Sequence, residues 1–245
     1  PLRVCAQAHR KRRNMPLFDF SMLISGPYHQ MLVAGMWLSL QLMAVTLLLA
    51  LPLAMGVALL RISSVAALRW LGASFVEGVR NVPLLAHMLL WYFGMPELLP
   101  DAGKEWLYAQ NFEAIAAVAA LTLYTAAFMA EDIRSGIRAV PQGQMQAAQA
   151  LGMLYFAAMR HVVLPQAVRL SLPPLISQTL NLWKNTSIAT VIGAAELMYQ
   201  ASKVETSTFR SLEAFTFASA AYLSVSLGIT MLAVWCQKRF PARAS

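Results

Sequence analysis

The chain has 245 residues, 58% of them apolar and 12% charged, with a mean hydropathy of +0.56. Soluble domains carry about 25% charged residues, so this composition excludes an ordinary soluble globule and points to an all-α, polytopic integral membrane protein. The net charge of +8 would suit a nucleic-acid binder, but the cations sit in short segments between apolar runs; that is the pattern of cytoplasmic loops, and no nucleic-acid partner is expected.

Residues 1–14 hold Arg3, Arg10, Lys11, Arg12 and Arg13 and read as a basic N-terminal extension outside the fold, with Met15 as the start. The rival reading is a basic cytoplasmic arm. Residues 15–245 then form a single transmembrane domain. A spanning helix needs about 20 apolar residues. Residues 30–60 carry no charge and supply a first span that tolerates Pro52. Residues 81–96 are uncharged but too few, so the second span borrows from 68–80 and draws Glu77 and Arg80 toward the membrane. Residues 114–130, 170–195 and 215–235 supply three more, the fourth span being interrupted by Lys184. Residues 95–111 and 201–210 read as external loops too short to be domains. Trp91 and Tyr92 read as an aromatic anchor at the outer end of the second span.

Residues 141–165 stand out as a moderately polar insert. Pro141 suits the first turn of a helix, where its missing N–H is not needed. Residues 142–151 are mostly good helix formers, with Met145, Ala148 and Leu151 on one face. Gly152 suits a left-handed helix end, and a second short helix is expected over 153–161, stopping before Pro165. Two short helices outside the bilayer form a handle for a partner; the plainer alternative is an amphipathic surface loop.

The pattern Gln146-Ala147-Ala148, three residues, Gly152, nine residues, Val162-x-Leu164-Pro165 resembles the EAA loop of permease subunits of binding-protein-dependent ABC importers. The run Arg80-Asn-Val-Pro-Leu-Leu with Trp91-Tyr-Phe resembles the polar amino acid branch, and Pro96-Glu-Leu-Leu-Pro100 resembles glutamate/aspartate permease subunits. The resemblance covers roughly residues 37–240. It implies a MetI-like type I importer permease with five transmembrane helices and a cytoplasmic two-helix coupling loop. Gln146, Ala147, Ala148, Gly152, Val162, Leu164 and Pro165 would then contact the ATPase. It implies a second permease subunit, homologous or identical, two ATPase subunits that carry ATP and Mg, and a periplasmic substrate-binding protein. Location in the bacterial inner membrane and an amino acid cargo, glutamate or aspartate first, follow from the same resemblance. One departure is Gln146, where the family usually has Glu: the helix survives, but an ion pair made by that Glu does not.

Charges inside spans are costly and usually face a cavity or a partner. If the second helix begins near Ala66, Arg80 sits about 21 Å along it, near mid-depth. Two compatible readings stand: Arg80 grips a carboxylate of the cargo, or it pairs with Glu77 one turn earlier. Asn181-Leu-Trp-Lys-Asn-Thr-Ser187 is the second polar cluster. The Ser and Thr hydroxyls can back-bond to their own helix. Asn181, Lys184 and Asn185 resemble a pathway-lining stretch of the family, although Lys184 could also snorkel outward. Glu131, Asp132 and Arg134 read as an interfacial charge cluster.

Arg61, Arg69, Arg134, Arg138, Arg160, Arg169, Lys238, Arg239 and Arg243 fall on one side, against Lys104, Lys203 and Arg210 on the other once residues 1–14 are set aside. That bias puts the EAA-like loop and the C-terminus in the cytoplasm and the N-terminus outside. Cys5 and Cys236 lie at opposite ends and make no framework, the four histidines have no ligand spacing, and Gly103-Lys104 is followed by Glu105 rather than completing a phosphate-binding loop. The chain is therefore expected to be no enzyme and to bind no cofactor itself. The alternatives are a membrane anchor, a passive channel, or an importer permease for another amino acid.

Overall fold

The computed structural model describes Leu23 and residues 25–239. The reading of residues 1–14, the start at Met15 and the charge of Arg243 lie outside the described residues. Every regular element described is helical.

Helix α1 (Pro27–Ile62) opens behind Gly26 with proline in its first turn and carries Pro52 in its interior. Its buried residues, among them Leu32, Ser39, Leu42, Thr46, Ala50 and Ala54, recur every three or four positions and form one stripe. That stripe lies along α5 (Phe112–Arg138), whose N-terminus is capped by the Asn111 side chain accepting from the Ala114 N–H. Ala50, Ala54 and Ala58 meet Ala126 and Ala130 in one buried cluster. Lipid tails are as apolar as leucine, so helices in a bilayer associate through close packing, and small residues let the two backbones approach. A second cluster, with Leu42, Leu84, Met88, Phe112 and Leu121, fills the other half of the interface.

The second expected span is not one helix. α2 begins at Ala66, as expected, and ends at Arg80. Pro83 disfavours a helical conformation at the residue before it, and here the chain breaks at residues 81–83. It resumes as α3 (Leu84–Leu89), widens into a π turn (Leu90–Gly94) and tightens into a 3-10 turn (Met95–Leu98). The external segment after it carries a short helix, α4 (Asp101–Tyr108), where Glu97 accepts from Lys104 at 2.9 Å and raises the ammonium pKa above its ordinary value. Trp91 and Tyr92 are half-buried against the core, Tyr92 stacked on Phe112 at 5.1 Å.

The insert forms α6 (Gln142–Ala150) and α7 (Tyr155–Ala158). Pro141 lies at the N-cap rather than inside the first turn. The second short helix does not stop before Pro165. It passes through a π turn (Met159–Val163) into α8 (Leu164–Asn185), with Pro165 in the first turn of α8. Both π turns end two residues before a proline, Pro96 and Pro165. A proline ring collides with the carbonyl four residues back, which is Tyr92 or His161, and the widened turn gives that carbonyl room.

α8 carries Pro173 and Pro174 and continues as a 3-10 stretch (Thr186–Ile192) closed by Gly193 at φ 84°. α9 (Leu197–Thr208) occupies the second expected external loop, and α10 (Ser211–Arg239) ends the described chain. Three helices, α1, α5 and α10, are each long and apolar enough to cross a membrane. The two other expected spans fall on the broken α2–α3 run and on α8, whose Arg169, Gln178, Asn181, Lys184 and Asn185 lower its hydropathy.

Candidate functional site

Two regions hold most of the residues singled out from the sequence. The first is an open cavity of about 410 Å³ between α5 and α8, lined by Tyr124, Thr125, Phe128, Gln178, Asn181, Leu182, Lys184 and Asn185. All three residues of the 181–187 cluster named from the sequence thus share one wall. Lys184 and Asn181 are exposed on it and Asn185 is half-buried. Thr186 and Ser187 do back-bond, donating to the carbonyls of Trp183 and Lys184 at 2.8 Å each. Arg80 reaches the same region from α2, its guanidinium 4.8 Å from the centre of the Phe128 ring, a cation–π geometry worth about 1 kcal/mol. Asp132, one turn beyond Phe128, feels the charge of Arg80 and sits beside Gln178, with one carboxylate oxygen buried and without a partner.

Glu77 takes no part in this arrangement. Its carboxylate accepts from the Asn81 amide at 3.3 Å, and no Arg80–Glu77 ion pair occurs among the described residues. Glu131 does pair: it accepts from Arg61 at 3.1 Å and from Arg134 one turn away, tying α1 to α5.

A further polar centre had no counterpart in the sequence reading. Glu196 is fully buried. One carboxylate oxygen accepts from the Thr190 hydroxyl at 2.6 Å and the Tyr199 N–H at 2.8 Å. The other accepts from the Tyr222 hydroxyl at 2.8 Å, the Met198 N–H at 2.9 Å and the Ser39 hydroxyl at 3.2 Å. The only sequence signal was a lone Glu at the end of an apolar run, a charge that suits a helix start.

The second region is the insert. α6 ends at Ala150, so Leu151 falls outside the helix and does not share the buried face of Ala148. Gly152 has φ +87°; its N–H donates to the Gln149 carbonyl and the Met153 N–H to the Ala148 carbonyl, the two bonds of a Schellman ending. Around that turn Leu151, Leu154 and Phe156 are 86%, 81% and 84% exposed. They form an apolar tip on a segment too short and polar to enter a bilayer. Gln146 and Ala147 are exposed on α6, and Leu164 and Pro165 at the start of α8; Val162 is half-buried and Ala148 buried. The Gln166 amide donates to Gln144 at 3.3 Å and so braces α6 against α8.

Residues 49–245 match the family described as binding-protein-dependent transport system inner membrane component. The chain is 40% identical over 224 residues to the probable glutamine ABC transporter permease protein GlnM of Bacillus subtilis (strain 168), covering 91% of this chain and 95% of that one. It is 35% identical over 173 residues to the glutamate/aspartate import permease protein GltJ of Escherichia coli (strain K12), covering 69% and 70%. The arginine transport system permease protein ArtQ of Bacillus subtilis (strain 168) is 32% identical, covering 87% and 93%. Among solved structures, an amino acid ABC transporter with histidines superposes with a TM-score of 0.80 at 30% identity, over 92% of this chain and all (100%) of that one. The MetNI methionine transporter shares the fold, with a TM-score of 0.71 at 17% identity over 88% and 99%. The chain belongs to the family of binding-protein-dependent transport system inner membrane components, as a permease subunit of an amino acid ABC importer.

Proposed function

We propose that this chain forms the translocation path of an inner-membrane importer for acidic amino acids, glutamate or aspartate, and that its 141–165 loop couples the path to separate ATPase subunits. The observation that supports the cargo is the placing of one cation, Lys184, on the cavity wall and of a second, Arg80, against Phe128, which lines the same cavity. A carboxylate leaving water loses solvation worth several kcal/mol, roughly, and a fixed cation restores part of it. The exposed tip of Leu151, Leu154 and Phe156 beside Gly152 supports the coupling role, since it is an apolar surface of the kind a partner covers.

A second reading has its own support. Gln178, Asn181 and Asn185 line the cavity, and Asp132 offsets Arg80. That lining suits a neutral amide such as glutamine, the cargo named for GlnM.

The assembly is two permeases, two ATPases holding ATP and Mg, and a periplasmic binding protein. The end with Arg61, Arg69, Arg134, Arg138, Arg160, Arg169, Lys238 and Arg239 faces the cytoplasm, and the end with Lys104, Lys203 and Arg210 faces out. The test is uptake per assembled complex in vesicles, measured with glutamate and with glutamine. Lys184→Gln lowers glutamate uptake about tenfold and moves glutamine uptake less than about twofold. Equal losses for both would favour the neutral cargo.

A further inference from the structure

We infer that Glu196 is a positioning residue for the cavity: a buried carboxylate joint that fixes the last turn of α8, and with it Lys184 and Asn185, against α1, α9 and α10. The inference rests on reading that cavity as the path, but it concerns residues that touch neither the cavity nor any cargo.

Two oxygens collect five donors from four stretches of chain. Ser39 comes from α1, Thr190 from the 3-10 stretch, the Met198 and Tyr199 N–H groups from the first turn of α9, and Tyr222 from α10. No cation is among them, so the anion is held by dipoles alone, two of them the free N–H groups of a helix start. Ser39 closes the ring: its hydroxyl donates to Glu196 and accepts from the Leu197 N–H at 3.1 Å. Gly35, one turn earlier on α1, lets the loop come this close. A Cβ there would stand 3.0 Å from the Glu196 carbonyl and 2.7 Å from the Gln200 side chain.

The link from this joint to the cavity runs through Tyr222 and Trp183. The Trp183 indole N–H donates to the Tyr222 carbonyl at 3.0 Å, and the two rings lie 5.0 Å apart. Trp183 is itself fully buried and immediately precedes Lys184. Thr186, also fully buried, lies against the Tyr222 hydroxyl and caps back onto the Trp183 carbonyl. The helix thus exits as a 3-10 stretch whose rotation is set by Trp183 and Thr186, which Tyr222 and Glu196 hold. An acceptor-only group is required at the centre. An amide of the same size would aim its NH₂ at the converging donors and leave buried donors unmatched.

The test is cysteine accessibility in the assembled permease–ATPase complex. Asn181→Cys is placed in a chain whose own Cys5 and Cys236 are serine, and its labelling rate by a charged aqueous reagent is measured. Labelling in the otherwise unaltered chain checks the cavity reading by itself. Adding Glu196→Gln changes that rate by about tenfold, the scale of one hydrogen bond to a charged group, while ATP hydrolysis without cargo is retained. Tyr222→Phe keeps the ring and the carbonyl but removes one donor, and shifts the rate in the same direction by less. Where Glu196→Gln yields no assembled complex, Tyr222→Phe and Ser39→Ala decide alone. Unchanged labelling in the variants that assemble overturns the inference and leaves Glu196 as a stabiliser of the α9 start.

Discussion

At the scale of single residues, charge in a greasy setting is the legible signal. Asn181, Lys184 and Asn185 stood out because an apolar run tolerates few such side chains, and they line one cavity wall. Arg80 stood out for the same reason, but its partner did not: it rests on Phe128 beside Asp132 and leaves Glu77 to Asn81. That geometry separates two outcomes. Arg80→Ala should slow uptake per assembled complex about tenfold with little loss of assembled protein, and Glu77→Ala should do neither, because the two side chains share no ion pair. Parallel losses of yield in the two variants, with transport per complex intact, would return Arg80 to a structural role. Glu196 was illegible because its donors, Ser39, Thr190 and Tyr222, are scattered over the chain and carry no charge that hydropathy registers.

At the scale of elements, the helices were readable where composition alone sets them and misread where proline geometry does. α1, α5 and α10 follow from long uncharged runs. The break at residues 81–83 and the uninterrupted passage of α7 into α8 depend on whether a proline ring meets a helical turn that can widen, which a hydropathy pattern does not carry. The loop's glycine was readable, since a left-handed ending has one common residue. Gly152→Trp forces a side chain into a φ of +87°, at a cost of about 1–2 kcal/mol, and places a bulky ring beside the exposed Leu151, Leu154 and Phe156. The surroundings of Gly152 are otherwise open, so the permease itself still inserts and its other helices are untouched. The expected result is ATP hydrolysis without uptake, or loss of the ATPase from the purified complex. Normal coupled uptake by this variant would mean that the loop tip is not the handle.

At the scale of the whole molecule, α1 and α5 pack closely and are tied by Arg61–Glu131, and α8 would supply both ends of the proposed mechanism. Its N-terminal turn is braced to the loop through Gln144 and Gln166, and its C-terminal turn carries the cavity wall. A push on α6 therefore has a route to Lys184 through the Gln144–Gln166 contact and the helical run of α8. A ligand shifts such an equilibrium only by binding one state better than the other; in the proposed coupling, ATP would do so through partner subunits. The most direct measurement of this account is the labelling rate of Asn181→Cys in the assembled complex with and without ATP, repeated with Gly152→Trp. ATP is expected to change the rate severalfold with the intact loop and to leave it unchanged in Gly152→Trp. A rate indifferent to ATP in both, in a complex that transports, would contradict it.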